Sequence, residues 1–291
     1  MRILIAIPHF FGGASGGGHG SLTGRSGVRR NALEACIRVL HYTFGTPQAM
    51  LDGRERRAIP ANTEGSHTLD IVVCTTGEQH LLGSIELPEG LYRHHPTNAD
   101  PKMLGFECHA VLRDGLGSYD YFGFLEDDLI VPDPTYFTKL IWFTGWAGDD
   151  CVLQPNRYEL SLASPFRKLY IDGSLPKDWS APYQDVDDRP ALTAQVMGHP
   201  VRFQRPHNPH AGCFFLNAQQ MAHWAAQRWF LDGDVRFVSP LESAATIGVM
   251  RTFRVYKPAV ENASFLEIQH ADNRYQITAR DGGMVVQRHS A

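Results

Sequence analysis

The stretch from Tyr119 to Phe137 constrains this chain more than any other. A short apolar and aromatic run, Tyr121 to Leu125, has the composition of a buried strand. It meets three consecutive carboxylates, Glu126, Asp127 and Asp128. A second apolar step, Leu129 to Val131, follows, and Pro132 and Pro134 end the extended segment. Three adjacent anions at the end of a buried strand are costly unless something neutralises them. A hard divalent cation does this with oxygen ligands, commonly one or two carboxylates plus substrate phosphates. The plainer reading is a solvated acidic turn. The strand before the triplet favours the first, because ligands of open α/β sheets gather at the carboxyl ends of the strands.

Strand and helix signals alternate along the chain and predict an α/β fold. Arg2 to Pro8 reads as a buried strand, and Pro8 places its end at the carboxyl edge of a sheet. The Gly/Ser-rich stretch Gly12 to Gly27 matches neither phosphate-loop pattern and reads as a loop that orders with ligand. Arg25, Arg29 and Arg30 lie at its exit. One of them is placed to meet a diphosphate, Arg30 being the candidate, unless they only begin a solvated helix. Apolar residues at helical spacing predict a helix over 31–44, and 48–67 reads as a polar surface insertion. Further strands are expected at 69–75, 151–154 and 252–257, with an ambiguous element at 80–87 and an aromatic, basic loop at 92–96. Helices are expected at 103–112, 135–146 and 219–229. Ser239, Pro240 and Glu242 read as the start of another helix, with Ser239 and Glu242 spaced as a capping box. Residues 164–209 are rich in Pro, Asp and aromatics. That composition suits a sugar site and equally a long irregular surface loop.

Phe-Leu-Glu-Asp-Asp-Leu-Ile-Val-Pro-Asp-Pro-Thr-Tyr-Phe, residues 124–137, resembles the acidic DxD-type motif of GT-A glycosyltransferases. Among its forms it is most similar to the Glu-Asp-Asp version of N-acetylglucosaminyltransferase-like members. The resemblance implies a GT-A-like, Rossmann-like fold: a mostly parallel central sheet flanked by helices, with long loop insertions. It implies one domain over 1–291, with a nucleotide-binding half at 1–131 and an acceptor-side half at 132–291. It makes Asp128 the ligand of a Mn2+ or Mg2+ ion that carries a nucleotide-sugar diphosphate. Glu126 and Asp127 then face the nucleotide and the sugar. By order along the chain, Gly212 in His210-Ala211-Gly212-Cys213 falls in the loop beneath the donor sugar. Glu242 becomes the general base of an inverting enzyme, and His270 a second metal ligand. The activity implied is sugar transfer from a nucleotide-sugar donor to a carbohydrate or other hydroxyl acceptor. The rivals are a nucleotidyltransferase on a related fold and a non-catalytic nucleotide- or carbohydrate-binding protein.

Composition adds exclusions. The chain has 291 residues, 43% hydrophobic and 20% charged, the balance of an ordinary soluble globular protein. A formal net charge of −4 gives no electrostatic case for nucleic acid. Five scattered cysteines without a CxxC pair argue against a disulfide framework or a zinc site. Met1 to Phe11 is apolar but too short to span a membrane and reads as the first strand, so a cytoplasmic location is expected, with no transmembrane segment.

Overall fold

A computed structural model describes residues 1–12 and 26–284 of the chain. Residues 13–25, which hold most of the Gly/Ser-rich stretch and Arg25, lie outside the described residues, as does the tail 285–291.

The first layer is a five-stranded sheet. Its strands are β1 (Arg2–Pro8), β4 (Thr68–Thr76), β5 (Arg93–Thr97), β6 (Tyr121–Leu125) and β13 (Cys213–Asn217), in the order β13-β6-β1-β4-β5. Strands β6, β1, β4 and β5 run parallel, and β13 runs antiparallel to β6. The sheet is covered on both faces, so β1 is apolar without alternation. Ile3, Ile5 and Ile7 join one core with Leu33, Ile37 and Leu40 of helix α1 (Ser26–Phe44). Leu4 and Ala6 join the other, with Leu104, Cys108 and Leu112 of helix α2 (Leu104–Asp114). The path from β1 through α1 leads to β4 on one side of β1. The path from β5 through α2 returns to β6 on its other side. The order of strands therefore reverses at the carboxyl end of β1, beside β6, where open α/β sheets bind ligands.

Two further sheets complete the α/β architecture. Strands β9 (Asn156–Leu160), β10 (Lys168–Tyr170), β15 (Glu267–His270) and the two-residue β7 (Leu129–Ile130) pair in the order β10-β9-β15-β7. Strands β8 (Cys151–Leu153), β11 (Ala191–Val196), β12 (His199–Gln204) and β14 (Arg254–Pro258) pair as β11-β12-β14-β8. Both mix parallel and antiparallel pairs. The mostly parallel character expected of the sheet thus holds for the central layer and not for the flanking ones. Three more helices flank the layers, α3 (Tyr136–Ala147), α5 (Ala218–Ala225) and α6 (Pro240–Thr252). Between β10 and β11 lies the one-turn α4 (Lys177–Ser180), and α7 (Arg274–Arg280) follows β15. No helix among the described residues is long and apolar enough to cross a membrane.

Several expectations are corrected. The basic stretch 92–96 is not a loop but the edge strand β5. It is largely exposed, so it lacks the apolar signature of a buried strand, and Pro96 is tolerated at an edge. The 80–87 segment contributes only a short 3-10 turn, Leu82–Ser84. Within 48–67 the chain forms an exposed hairpin of β2 (Ala49–Asp52) and β3 (Arg57–Pro60). The 164–209 region is not an irregular loop: it carries β10, α4 and the β11–β12 hairpin. Helix α1 begins at Ser26, one and a half turns before the expected start, which makes Arg29 and Arg30 helical. All five cysteines are free and buried, as expected.

Helices α2 and α6 cross in close contact. A Cβ at Gly105 would stand 2.4 Å from the Cβ of Ala244, a separation that no side chain tolerates. His109 of α2 ties the same pair, with Nε2 3.1 Å from the Ala244 carbonyl. This crossing holds the first turn of α6 against the carboxyl edge of the sheet.

Candidate active site

The acidic triplet leaves β6 at the point where the strand order reverses. His9, one residue beyond β1, brings its Nδ1 to 2.6 Å from Asp127 Oδ2, so the ends of β1 and β6 are joined directly. Both side chains are almost fully buried. Arg29 reaches the same place from α1. It continues the apolar stripe of Leu33, Cys36, Ile37 and Leu40 one turn toward the helix start, and the next polar partners along that stripe are the carboxylates. Its Nη1 donates to Asp128 Oδ2 at 2.8 Å, and its Nη2 donates to Asp127 Oδ1. Burial opposes the guanidinium charge, but Asp127 and Asp128 outweigh it and raise the Arg29 pKa further.

Arg30, the expected diphosphate contact, points elsewhere. A step of one residue turns it about 100° around the helix, and it meets Asn31 and Glu34 instead. Arg29 is the arginine on the site-facing stripe.

The second sheet supplies the other wall. The short β7 that follows the triplet pairs with β15, and Ala271 N donates to the Asp128 carbonyl at 2.8 Å. This brings His270 to the site, with Nε2 3.6 Å from Asp128 Oδ2. Its Nδ1 lies 3.0 Å from Oε1 of the fully buried Glu159. Glu159 is fixed in turn by Gln276 of α7, whose backbone N donates to it at 2.9 Å. Burial works against protonation of His270, yet Asp128 and Glu159 together push it up to about 9. Asp128 shows the converse. Burial favours its neutral form, but His270 and Arg29 hold it well below the usual carboxylate range. Glu126 is the opposite case. Burial pushes it up to about 8, with Asp128 and Glu242 adding to the rise and Arg157 working against it. Glu126 and Asp128, two carboxylates of one motif, are therefore shifted in opposite directions.

Gly212 lies under Glu126. Its carbonyl accepts from the Glu126 backbone N at 2.9 Å. Its φ is +64°, and a Cβ there would stand 2.8 Å from Glu126 Oε2. Only glycine gives both the backbone conformation and the room. Gly212 therefore shapes the site through Glu126. Glu242 enters from the first turn of α6. The capping box suggested by its spacing does not form: Ser239 makes no side-chain cap bond. Among the described residues Glu242 Oε2 is buried without a hydrogen-bond partner, and so is Asp128 Oδ1.

Asp128, Glu242, His270, Glu126, Arg29 and Arg157 all line one small polar cavity of about 80 Å3. Beside it lies a larger, mainly apolar cavity of about 400 Å3, lined by Pro8, Phe10, Leu104, Pro240 and, on its polar side, Asp100. Arg29, Asp127 and Leu241 belong to both cavities. Of the residues expected from the sequence, Pro8, Glu126, Asp127, Asp128, Gly212, Glu242 and His270 come together here, and Arg30 does not.

No group of three His, Cys, Asp or Glu side chains among the described residues is arranged to hold a metal ion. Two donors are suitably set. Asp128 Oδ1 lacks a partner among the described residues, and His270 Nε2 faces the same carboxylate while its other nitrogen is held by Glu159. Such a pair would take a cation, completed by substrate phosphate and water, once His270 gives up the proton that Asp128 and Glu159 stabilise on it.

Three participants, His9, Arg157 and Glu159, escaped sequence reasoning, and Arg29 was named there but passed over for Arg30. His9 carried a signal, being the first polar residue after a strand that ends at the site. Arg29 carried one in its helical phase with Leu33 and Cys36. Arg157 and Glu159 share one face of β9, a strand whose buried charges break the apolar pattern. Behind Glu126, Arg157 Nε donates to Asp172 Oδ1 at 2.8 Å, and Lys257 Nζ donates to Asp172 Oδ2 at 2.8 Å. Burial of Asp172 opposes its charge, but Arg157 and Lys257 keep it well below the usual range.

The chain matches no family model and no curated protein.

Proposed function

We propose that the protein is a glycosyltransferase that uses a nucleotide-sugar donor and a Mn2+ or Mg2+ ion. The observation that carries this reading is the convergence of Asp128, Glu242 and His270 on one cavity. They come from three elements far apart in sequence, and they meet at the carboxyl edge where the strand order reverses.

In this reading the nucleoside lies in the 400 Å3 cavity, with Phe10 offering an aromatic face and Asp100 and Asp127 accepting ribose hydroxyls. The diphosphate lies toward Arg29, whose two Nη groups suit phosphate oxygens as well as carboxylates. Asp128 and His270 would hold the metal, which supplies Lewis-acid neutralisation of charge developing on the leaving diphosphate. Glu159 keeps the imidazole aimed at Asp128. Glu242 takes the proton of the acceptor hydroxyl as it attacks, and its Oε2 has no hydrogen-bond partner among the described residues. Gly212 and Arg157 position Glu126 beside the reacting centre. An inverting outcome follows from a single base acting on the acceptor.

The test is a thermal-shift panel of UDP-, GDP-, CMP- and dTDP-sugars, each with Mn2+ or EDTA, on the wild type and Asp128→Asn. A ligand present at about 100 times its Kd stabilises the native state by about 2.7 kcal/mol. The expected result is a shift with one nucleotide class that needs Mn2+ and is lost in Asp128→Asn. No shift with any donor refutes the reading. A shift without turnover for any acceptor leaves a nucleotide-binding protein.

A further inference from the structure

Glu126 is the one carboxylate of the triplet whose side chain makes no hydrogen bond among the described residues. Asp127 is bonded by His9 and Arg29, and Asp128 by Arg29. Two donors flank Glu126 all the same. Arg157 Nη1 stands 3.9 Å from its Oε2, and His210 Nε2 stands 3.9 Å from its Oε1, each just beyond hydrogen-bond reach. Burial, aided by Arg157, holds the His210 imidazole well below its usual pKa, so it is neutral. Its Nδ1 accepts from Gly212 N at 3.5 Å and lies 3.0 Å from the Thr246 hydroxyl. The single ring proton is therefore on Nε2, toward Glu126. Both Glu126 oxygens are left for a hydroxyl in the acidic cavity, with a donor on either side of them.

One residue holds both flanking donors. Lys257 of β14 donates to Asp172 Oδ2 at 2.8 Å and to the His210 carbonyl. Asp172 in turn accepts from Arg157 twice, from its backbone N at 3.0 Å and its Nε at 2.8 Å. A single ammonium thus anchors Arg157 through Asp172 and His210 directly. The Lys257 side chain is only 3% exposed and that of Asp172 2%. An ion pair this deep is a poor stabiliser, since apolar residues of similar size often serve as well or better. Stability does not account for it. A fixed spacing between two donors does.

We propose that Lys257 is a positioning residue that sets Arg157 and His210 about Glu126, so that Glu126 receives a hydroxyl of the donor sugar. The assignment rests on the glycosyltransferase reading. It adds to that reading what holds the sugar, as distinct from the nucleotide.

The experiment is calorimetric titration of the full chain, with Mn2+, by matched pairs: UDP against UDP-N-acetylglucosamine and UDP-glucose, GDP against GDP-mannose, dTDP against dTDP-glucose, and CMP against CMP-N-acetylneuraminate. The wild type, Lys257→Met and the Asp172→Asn/Lys257→Met double variant are compared. For the pair that binds, Lys257→Met should weaken the nucleotide-sugar roughly fivefold or more, the equivalent of one lost hydrogen bond, and the bare nucleotide by less than about twofold. Lys257→Met leaves Asp172 with one cation instead of two and should melt early. The double variant removes the carboxylate charge as well, and should recover the melting temperature without recovering the sugar contact. That split separates positioning from structural support, and the double variant alone decides if Lys257→Met does not fold. Unchanged sugar affinity, equal weakening of both ligands, or sugar affinity regained together with the melting temperature overturns the assignment while the glycosyltransferase reading stands. A wild type that binds none of the pairs overturns both.

Discussion

Arg29 occupies the carboxylates that the metal would need, and Arg29→Gln separates the two roles. Its Nη1 bonds Asp128 at 2.8 Å and its Nη2 bonds Asp127, and the Asp127 side chain is only 3% exposed. Removing one member of a buried pair costs about 3–5 kcal/mol at most here, because His9 and His270 still face the two carboxylates. At roughly 2–4 °C per kcal/mol for a chain near this size, melting falls by up to about 10 °C. Metal binding moves the other way. In the wild type a cation approaching Asp128 must give up or compete with a charge-assisted bond of about 1.5–3 kcal/mol. At 1.4 kcal/mol per tenfold, the Mn2+ Kd of Arg29→Gln without nucleotide falls by about 10–100-fold. The assay is loss of the free-aquo Mn2+ signal in electron paramagnetic resonance, titrated with and without UDP. Under the proposed function UDP should strengthen Mn2+ binding in the wild type, because its phosphates would take the guanidinium from Asp128. In the variant this gain shrinks. Equal or weaker Mn2+ binding by Arg29→Gln without nucleotide would refute the competition and the metal position on Asp128 with it.

Other predictions concern separate parts of the molecule. Glu242→Gln should lower kcat about 10²–10⁴-fold in a transfer assay while the donor-induced thermal shift remains; an unchanged kcat removes Glu242 as base. Gly212→Ala should lose about 1–2 kcal/mol in urea unfolding from its +64° φ alone. It should also weaken donor binding by pushing Glu126 aside. His109 is buried among aromatic rings, and burial lowers its pKa to about 3. The unfolded chain takes up this proton below about 6.5 and the native state does not, so this contribution is present above that pH and lost as pH falls. At pH 5 the loss is about 2 kcal/mol, which urea unfolding of wild type against His109→Gln would expose as a difference in slope.

Legibility in the sequence followed burial. β1, β4 and β6 were readable because they lie inside the central sheet, and an unbroken apolar run bounded by Pro, Asp or Gly has few other meanings. The edge strand β5 and the flanking strand β9 were not, although the flanking β8 and β14 were. β5 spells Arg-His-His-Pro-Thr because its side chains meet solvent, and β9 hides Arg157 and Glu159 because buried charges break the apolar pattern. In the site, the carboxylates were legible as a run of like charge. Of their counter-charges, Arg157 was not, being a single residue on a strand of another sheet; His270 was reached only through the resemblance, and Arg29 was named but passed over. Arg30 was preferred to Arg29 for want of the helix start: once α1 begins at Ser26, helical phase selects Arg29.

The crossing at Gly105 has a mechanical consequence. With 2.4 Å between the Cβ it lacks and that of Ala244, α2 and α6 mesh like two gears with one tooth removed. Glu242 cannot swing on α6 unless Leu104–Asp114 travels with it, and that helix is anchored to β1 through Leu4 and Leu112. The candidate base is therefore referenced to the same strand that places His9 against Asp127. Its alignment is set by a missing methyl group in a helix that carries none of the three carboxylates, and a single added carbon there would throw it out of true.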